Sequence, residues 1–166
     1  MLKTLKDLWA ALHPLPTVDP DSARELHRLQ LATAVMLVEV MRADAELGAS
    51  ERRAVIDALR ASFDLAEDEL ARLLELAEQA AAQAIDLFSF TSRINDHFDM
   101  PAKIAMVEQM WSVAYADGVL SAHERHVLWR VADLLHVPQG AYHHARQRAQ
   151  EAAATNAATK AGDDPR

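Results

Sequence analysis

Two groups of carboxylates at helix ends have the types and spacing to do chemistry in this chain. Val40-Met-Arg-Ala-Asp44-Ala-Glu46-Leu-Gly-Ala-Ser-Glu51-Arg52 returns as Val113-Ala-Tyr-Ala-Asp117-Gly-Val-Leu-Ser-Ala-His-Glu124-Arg125, with seven of thirteen positions identical. The identities include the aspartate, the leucine three residues after it and the Glu-Arg pair beyond. Glu39 lies just over one helical turn before Asp44 and adds a further acid to the first copy. Hard cations such as calcium collect six to eight oxygen ligands, mostly carboxylate and carbonyl. Glu39, Asp44, Glu46 and Glu51 around one turn, and Asp117 and Glu124 around the other, are therefore candidate ligands for a divalent cation, calcium or another metal. The first turn offers the richer set. Neither has the alternating ligands and closing glutamate of an EF-hand loop. The competing reading is structural: the same side chains cap helix N-termini and complement their dipoles.

Other chemistry finds less support. Five of the eight histidines fall between His123 and His144. His123 and His126 share a helix face, and His143-His144 follows on the next helix. Zinc accepts imidazole, but adjacent histidines diverge on a helix and no spacing ties the two pairs together, so a solvated titratable face accounts for them. There is no cysteine, which removes disulfides, thiolate sites and cysteine nucleophiles. No phosphate loop, glycine-rich fingerprint or spaced nucleophile–base pair is present. Trp111, Tyr115 and Trp129 stand at core-compatible positions and need no cofactor. The chain reads as a non-enzyme.

With 166 residues and a formal net charge of -8, one domain is expected, and a nucleic-acid partner is not, because phosphate recognition needs a basic stripe. A cation or a basic partner fits better. No apolar run reaches the ~18 residues of a membrane span and no signal peptide opens the chain, so the expected location is cytoplasmic.

The elements that must position the acids are helical. Four glycines, six prolines and the lack of strand-favouring runs argue all-α. Leu2, Leu5, Leu8, Trp9 and Leu12 predict a short N-terminal amphipathic helix, followed by a linker at Pro14 and Pro16; residues 1–16 form this unit. Docking on the body of the same chain is expected for it, with peripheral membrane contact or a partner as the alternative. Asp19 as N-cap and Pro20 at the first helical position start a long helix to about Ala43, through Leu26, Leu29, Met36 and Leu37. Further helices are predicted over about 50–62 (Val55, Ile56, Leu59, Phe63), 67–82 (Leu70, Leu73, Leu74, Leu76) and 84–98 (Ile85, Leu87, Phe88, Phe90, Ile94). Asp99 and Pro101 open one to Ala116, and a Ser121-x-x-Glu124 capping box opens one over 121–135. The last covers 139–150. Residues 17–150 form the folded domain, and 151–166 a frayed or disordered tail. In the second turn Gly118 can take the left-handed conformation that closes helices, leaving Asp117 free to bond the turn's amides. Ala45 stands at that place in the first copy.

Ala116-Asp117-Gly118-x-Leu120-x-x-x-Glu124-Arg125 after an aromatic-ended helix, its degenerate upstream copy, and the intervening Phe88-x-Phe90-Thr-x-x-Ile94-Asn95 together resemble the tellurite-resistance TerB-like family over roughly residues 20–150. The resemblance implies about seven helices in two pseudo-symmetric halves, in cytoplasmic bacterial proteins of tellurite and general stress resistance. Related domains occur in co-chaperone and metal-response contexts. Acidic turns suspected of binding a metal ion, and no catalysis, are implied as well. The chain departs from the pattern where Ala45 replaces the turn glycine and where Val119 stands opposite Glu46.

Overall fold

A computed structural model describes residues 20–43 and 48–162. Among them lie seven helices and no strand: α1 (Pro20–Arg42), α2 (Ala49–Ser62), α3 (Glu67–Gln83), α4 (Phe88–His97), α5 (Met100–Ala114), α6 (Ala122–Leu134) and α7 (Gln139–Gly162). The segment 2–12, the linker prolines, Asp19, Asp44, Ala45 and Glu46 lie outside the described residues.

Helix α1 organises the rest. From Ala32 to Val38 every side chain is fully buried, the signature of a helix enclosed on all sides rather than laid on a surface. It packs against α2, α3, α4, α5 and α6, while α7 packs chiefly on α5. The one hydroxyl in that run, Thr33, donates from Oγ1 to the Leu29 carbonyl at 2.9 Å, so its polar group enters the core satisfied. The core then continues through Val55 and Leu59 of α2, Leu70 and Leu74 of α3, Ile94 of α4, Met106, Met110 and Trp111 of α5, Leu128 and Val131 of α6, and Ala145 of α7.

Several boundaries follow from caps. Asp99 accepts the Ala102 amide at 3.0 Å and starts α5 with Pro101 in its first turn. Glu69 accepts the Ala66 amide at the head of α3. Helix α4 begins at Phe88, not near residue 84, because Asp86 accepts the Phe88 amide at 2.9 Å and fixes the chain as a connection up to that point. As a result Ile85 is fully exposed and Phe88 largely so, against their expected place inside. Leu76, at 37%, and Trp129, at 52%, are also exposed. In α6 the inward face is taken by Leu128, Val131 and Ala132, and Trp129 falls outside it. Helix α7 passes the expected end at residue 150 and runs to Gly162. Its alanines favour helix, and the extension stands in solvent, burying little apolar surface.

Helix α6 closes on His136, a non-glycine residue at φ 58°. The Val137 amide reaches back to the Ala132 carbonyl at 2.9 Å and the His136 amide to Asp133 at 3.0 Å, the double bond of a left-handed helix terminus. Glycine suits that position better than any side chain. His136→Gly is expected to stabilise the fold by up to about 1 kcal/mol, read from chemical denaturation.

Glu25 ties the start of α1 to α4, with Arg93 at 3.0 Å and His97 at 3.4 Å, and Arg28 at 3.3 Å on its own helix. Desolvation pushes its pKa up, but the bond and charge of Arg93, with help from His97 and Arg28, outweigh it and hold the carboxyl below its ordinary 4.5. The stabilisation is thus present above that ordinary value and lost as pH falls through the lowered one. Melts of Glu25→Gln should lose part of the parent's dependence on pH between about 5 and 3 and match it least at neutral pH.

Candidate acidic-turn site

The two copies of the repeat occupy equivalent places. One joins α1 to α2 and the other joins α5 to α6, and Glu51 and Glu124 are each the third residue of the helix that follows. Both are fully buried. That is unusual for glutamate, which seldom enters a protein interior without a partner.

The second turn is described in full. The Tyr115 amide donates to the Trp111 carbonyl at 3.0 Å and ends α5. Gly118 then turns back at φ +80°, its amide bonding the Tyr115 carbonyl at 3.1 Å. Asp117 accepts the Val119 amide on Oδ1 at 2.9 Å and remains exposed. Ser121 and Glu124 form the expected reciprocal cap. The Ser121 amide donates to Glu124 Oε2 at 2.7 Å, and the Glu124 amide donates to Ser121 Oγ at 3.1 Å. The cap explains why Glu124 points inward but uses only one of its oxygens. Oε1 is buried with no hydrogen-bond partner among the described residues.

The turn's left-handed glycine can be tested directly. A Cβ built on Gly118 meets nothing within 4 Å, so the backbone conformation alone opposes a side chain. Gly118→Ala should cost about 1 kcal/mol, and an unchanged denaturation midpoint would mean that the turn closes in another way.

The first turn is built differently. Gly48 precedes α2 with extended backbone and no side-chain cap, so the Ser–Glu reciprocity of the second copy is absent there. Glu39, a candidate ligand, is engaged by Arg42 at 3.0 Å. Arg52, the residue after the buried Glu51, pairs with Glu78 of α3. Among the described residues no three His, Asp or Glu side chains converge as a metal-binding group. Of the six candidates, then, Glu51 and Glu124 share the buried third position of their helices. Asp117 lies outside on the second turn and Glu39 sits in an ion pair. Asp44 and Glu46 are not described. His123, His126, His143 and His144 are all exposed.

Sequence reasoning put Trp111 and Tyr115 at core-compatible positions but missed the brace they form with Tyr142 and Arg146 beneath the second turn. Trp111, 1% exposed, packs its ring against Tyr115 at 5.8 Å and Tyr142 at 5.4 Å. The Arg146 guanidinium lies 5.1 Å over the Trp111 ring and donates from Nε to the Tyr115 hydroxyl at 3.0 Å. Burial pushes the Tyr142 phenol pKa up, partly countered by Arg146. Tyr142 and Arg146 are one helical turn apart, the spacing that sets two side chains on one face. That spacing was the available signal, but it does not reveal which helix the face meets.

No helix among the described residues is long and apolar enough to cross a membrane. Residues 30–147 match the model of a family described as tellurite resistance protein TerB. No curated protein and no solved structure matches the chain.

Proposed function

The chain belongs to the TerB family, and on that premise we propose that it is a non-catalytic tellurite- and stress-resistance protein of the bacterial cytoplasm that takes up a divalent cation at its acidic turns. The observation that carries this reading is Glu124 Oε1. A buried carboxylate oxygen without a partner costs on the order of 1–3 kcal/mol, a cost that a cation would offset. The residues fit such an ion in kind. Glu124 Oε1, the second oxygen of Asp117 and carbonyls of the turn are hard oxygen donors of the type calcium and magnesium accept. At the other turn Glu51 would contribute, and Asp44 and Glu46 remain candidates from the sequence alone. A cation held there would supply positive charge to the buried Glu124 carboxylate.

Glu124→Gln separates ligand from cap. Glutamine serves a capping box as well as glutamate does, so the variant should fold and melt close to the parent without added ion. Thermal melts with millimolar calcium, magnesium, manganese or zinc chloride should raise the parent's Tm, since a ligand of the native state stabilises by mass action. The variant should lose much of that rise. If no ion shifts the parent, the cation reading fails.

A second reading is then favoured, in which the chain is an interaction module and its acidic turns are only caps. Its support is that Asp117 and Glu124 each already bond a backbone amide of the turn.

A further inference from the structure

Away from the acidic turns, a groove of ≈ 380 Å³ opens between the first half of α1 and α3. Its walls are largely aliphatic: Leu31 of α1, Leu65 just ahead of α3, and Leu73 and Leu76 of α3 all line this one recess. Leu76 is 37% exposed, and Leu31 and Leu65 are only partly buried. A cavity of about 150 Å³ takes a benzene ring, so the groove has room for an indole and a leucine side chain together.

Position, reach and charge point to the same occupant. Helices α1 and α3 run parallel. His27 and Leu31 share the groove with Leu65 and Glu69, whereas Glu39 and Arg42, further along α1, share a second cleft with Ala81 and Ala82. The groove therefore lies at the end of α1 into which residues 1–19 lead. His27 and Leu31 stand ~10–17 Å along the helix from Pro20, at 1.5 Å per residue. The stretch from Leu12 to Pro20 can span up to about 26 Å, which exceeds that distance, and Pro14 and Pro16 keep it from continuing as helix. Leu5, Leu8 and Trp9 have the spacing of one helix face, and their burial is worth several kcal/mol. A segment on so short a tether acts at an effective concentration in the millimolar range, ahead of apolar partners in free solution.

The charges agree. Arg28 and Arg72 at the groove are already paired, with Glu25 at 3.3 Å and Glu75 at 3.0 Å. Glu69 accepts the Ala66 amide on Oε2 and keeps its other oxygen. The uncommitted charge at the rim is thus negative, and Lys3 and Lys6 against Asp7 make the segment basic within a chain of net charge -8.

We propose that residues 2–12 of the same chain close this groove, with Leu5, Leu8 and Trp9 entering between Leu31, Leu73 and Leu76 and the lysines turned toward Glu69.

The test is the protection of a thiol. The chain has no cysteine, so Leu76→Cys places a single one in the groove of the full chain. A thiol reagent should modify it at least about tenfold more slowly than in the same variant carrying Leu5→Ala, Leu8→Ala and Trp9→Ala, because ~1.4 kcal/mol of docking already covers the groove ten to one. Trp9→Ala alone should speed the reaction by a smaller factor. Circular dichroism checks that each variant is folded, and Arg72→Cys, at an exposed position of the same groove, serves if Leu76→Cys is not. The protection should not change with protein concentration. Equal rates with and without the three alanines would overturn the proposal. So would protection that grows with protein concentration, which assigns the groove to a second copy. Protection that appears only with phosphatidylglycerol vesicles would overturn it too, in favour of a membrane surface.

Discussion

Trp111→Ala is expected to destabilise the protein by about 3–5 kcal/mol, the usual range for emptying a buried large aromatic site. The indole sits 1% exposed between Tyr115, Tyr142 and Arg146, and α7 packs chiefly on the helix that carries it. Its loss would open a cavity at the joint between α5 and α7 and remove the surface on which Arg146 lies. Trp111→Phe should cost much less. The Trp111 Nε1 has no hydrogen-bond partner among the described residues, so phenylalanine forfeits volume and no bond. Urea denaturation of the two variants checks both figures. Equal losses for alanine and phenylalanine would show that the indole N–H matters after all.

The second large effect is expected on the central helix. Val38→Asp places a carboxylate in a stretch where every side chain from Ala32 to Val38 is fully buried. An unpaired charge in such surroundings costs several kcal/mol, against a total stability of about 5–15 kcal/mol for a domain. The variant should show no cooperative melt and should bind a hydrophobic dye at room temperature. A cooperative transition near the parent's would mean that α1 is less tightly enclosed than its burial indicates.

Most helices were legible because local rules fix them. Pro20 at the head of α1, Asp99 before α5, the Ser121–Glu124 box and the left-handed Gly118 follow from backbone amides that need acceptors and from a φ that only glycine takes freely. The structure has each of them where the pattern placed it. Asp117 bonding its own turn was legible for the same reason. What failed was the side a helix shows. Ile85 and Phe88 read as core because they are apolar at helical spacing, yet Asp86 delays the start of α4 and leaves them in solvent. Trp129 read as core-compatible by position, although Leu128 and Val131 had already claimed the inward face of α6.

The acids gave the opposite error in kind. Carboxylates suggested exposed caps or ligands, and residue type alone could not show that Glu51 and Glu124 are the fully buried pair. Their depth depends on helices packed over the turns from elsewhere in the chain. The i,i+3 engagement of Glu39 by Arg42 was available in the sequence and weakens Glu39 as a ligand. The tail from residue 151 was read as frayed or disordered for its low apolar content, and α7 continues through it to Gly162 because an alanine-rich segment extending an established helix has no nucleation cost to meet.

The enclosure of α1 also has a consequence for how the chain is made. A ribosome releases the N-terminal end first, so the apolar band from Ala32 to Met41 emerges before α4, α5 and α6, the helices that later cover it, have been synthesised. At about 5–20 residues per second that band waits on the order of ten seconds for its covering. During this interval it is a nascent segment with aggregation-prone surface on every side, and the yield of native protein depends on what shields it until Leu135 has left the exit tunnel.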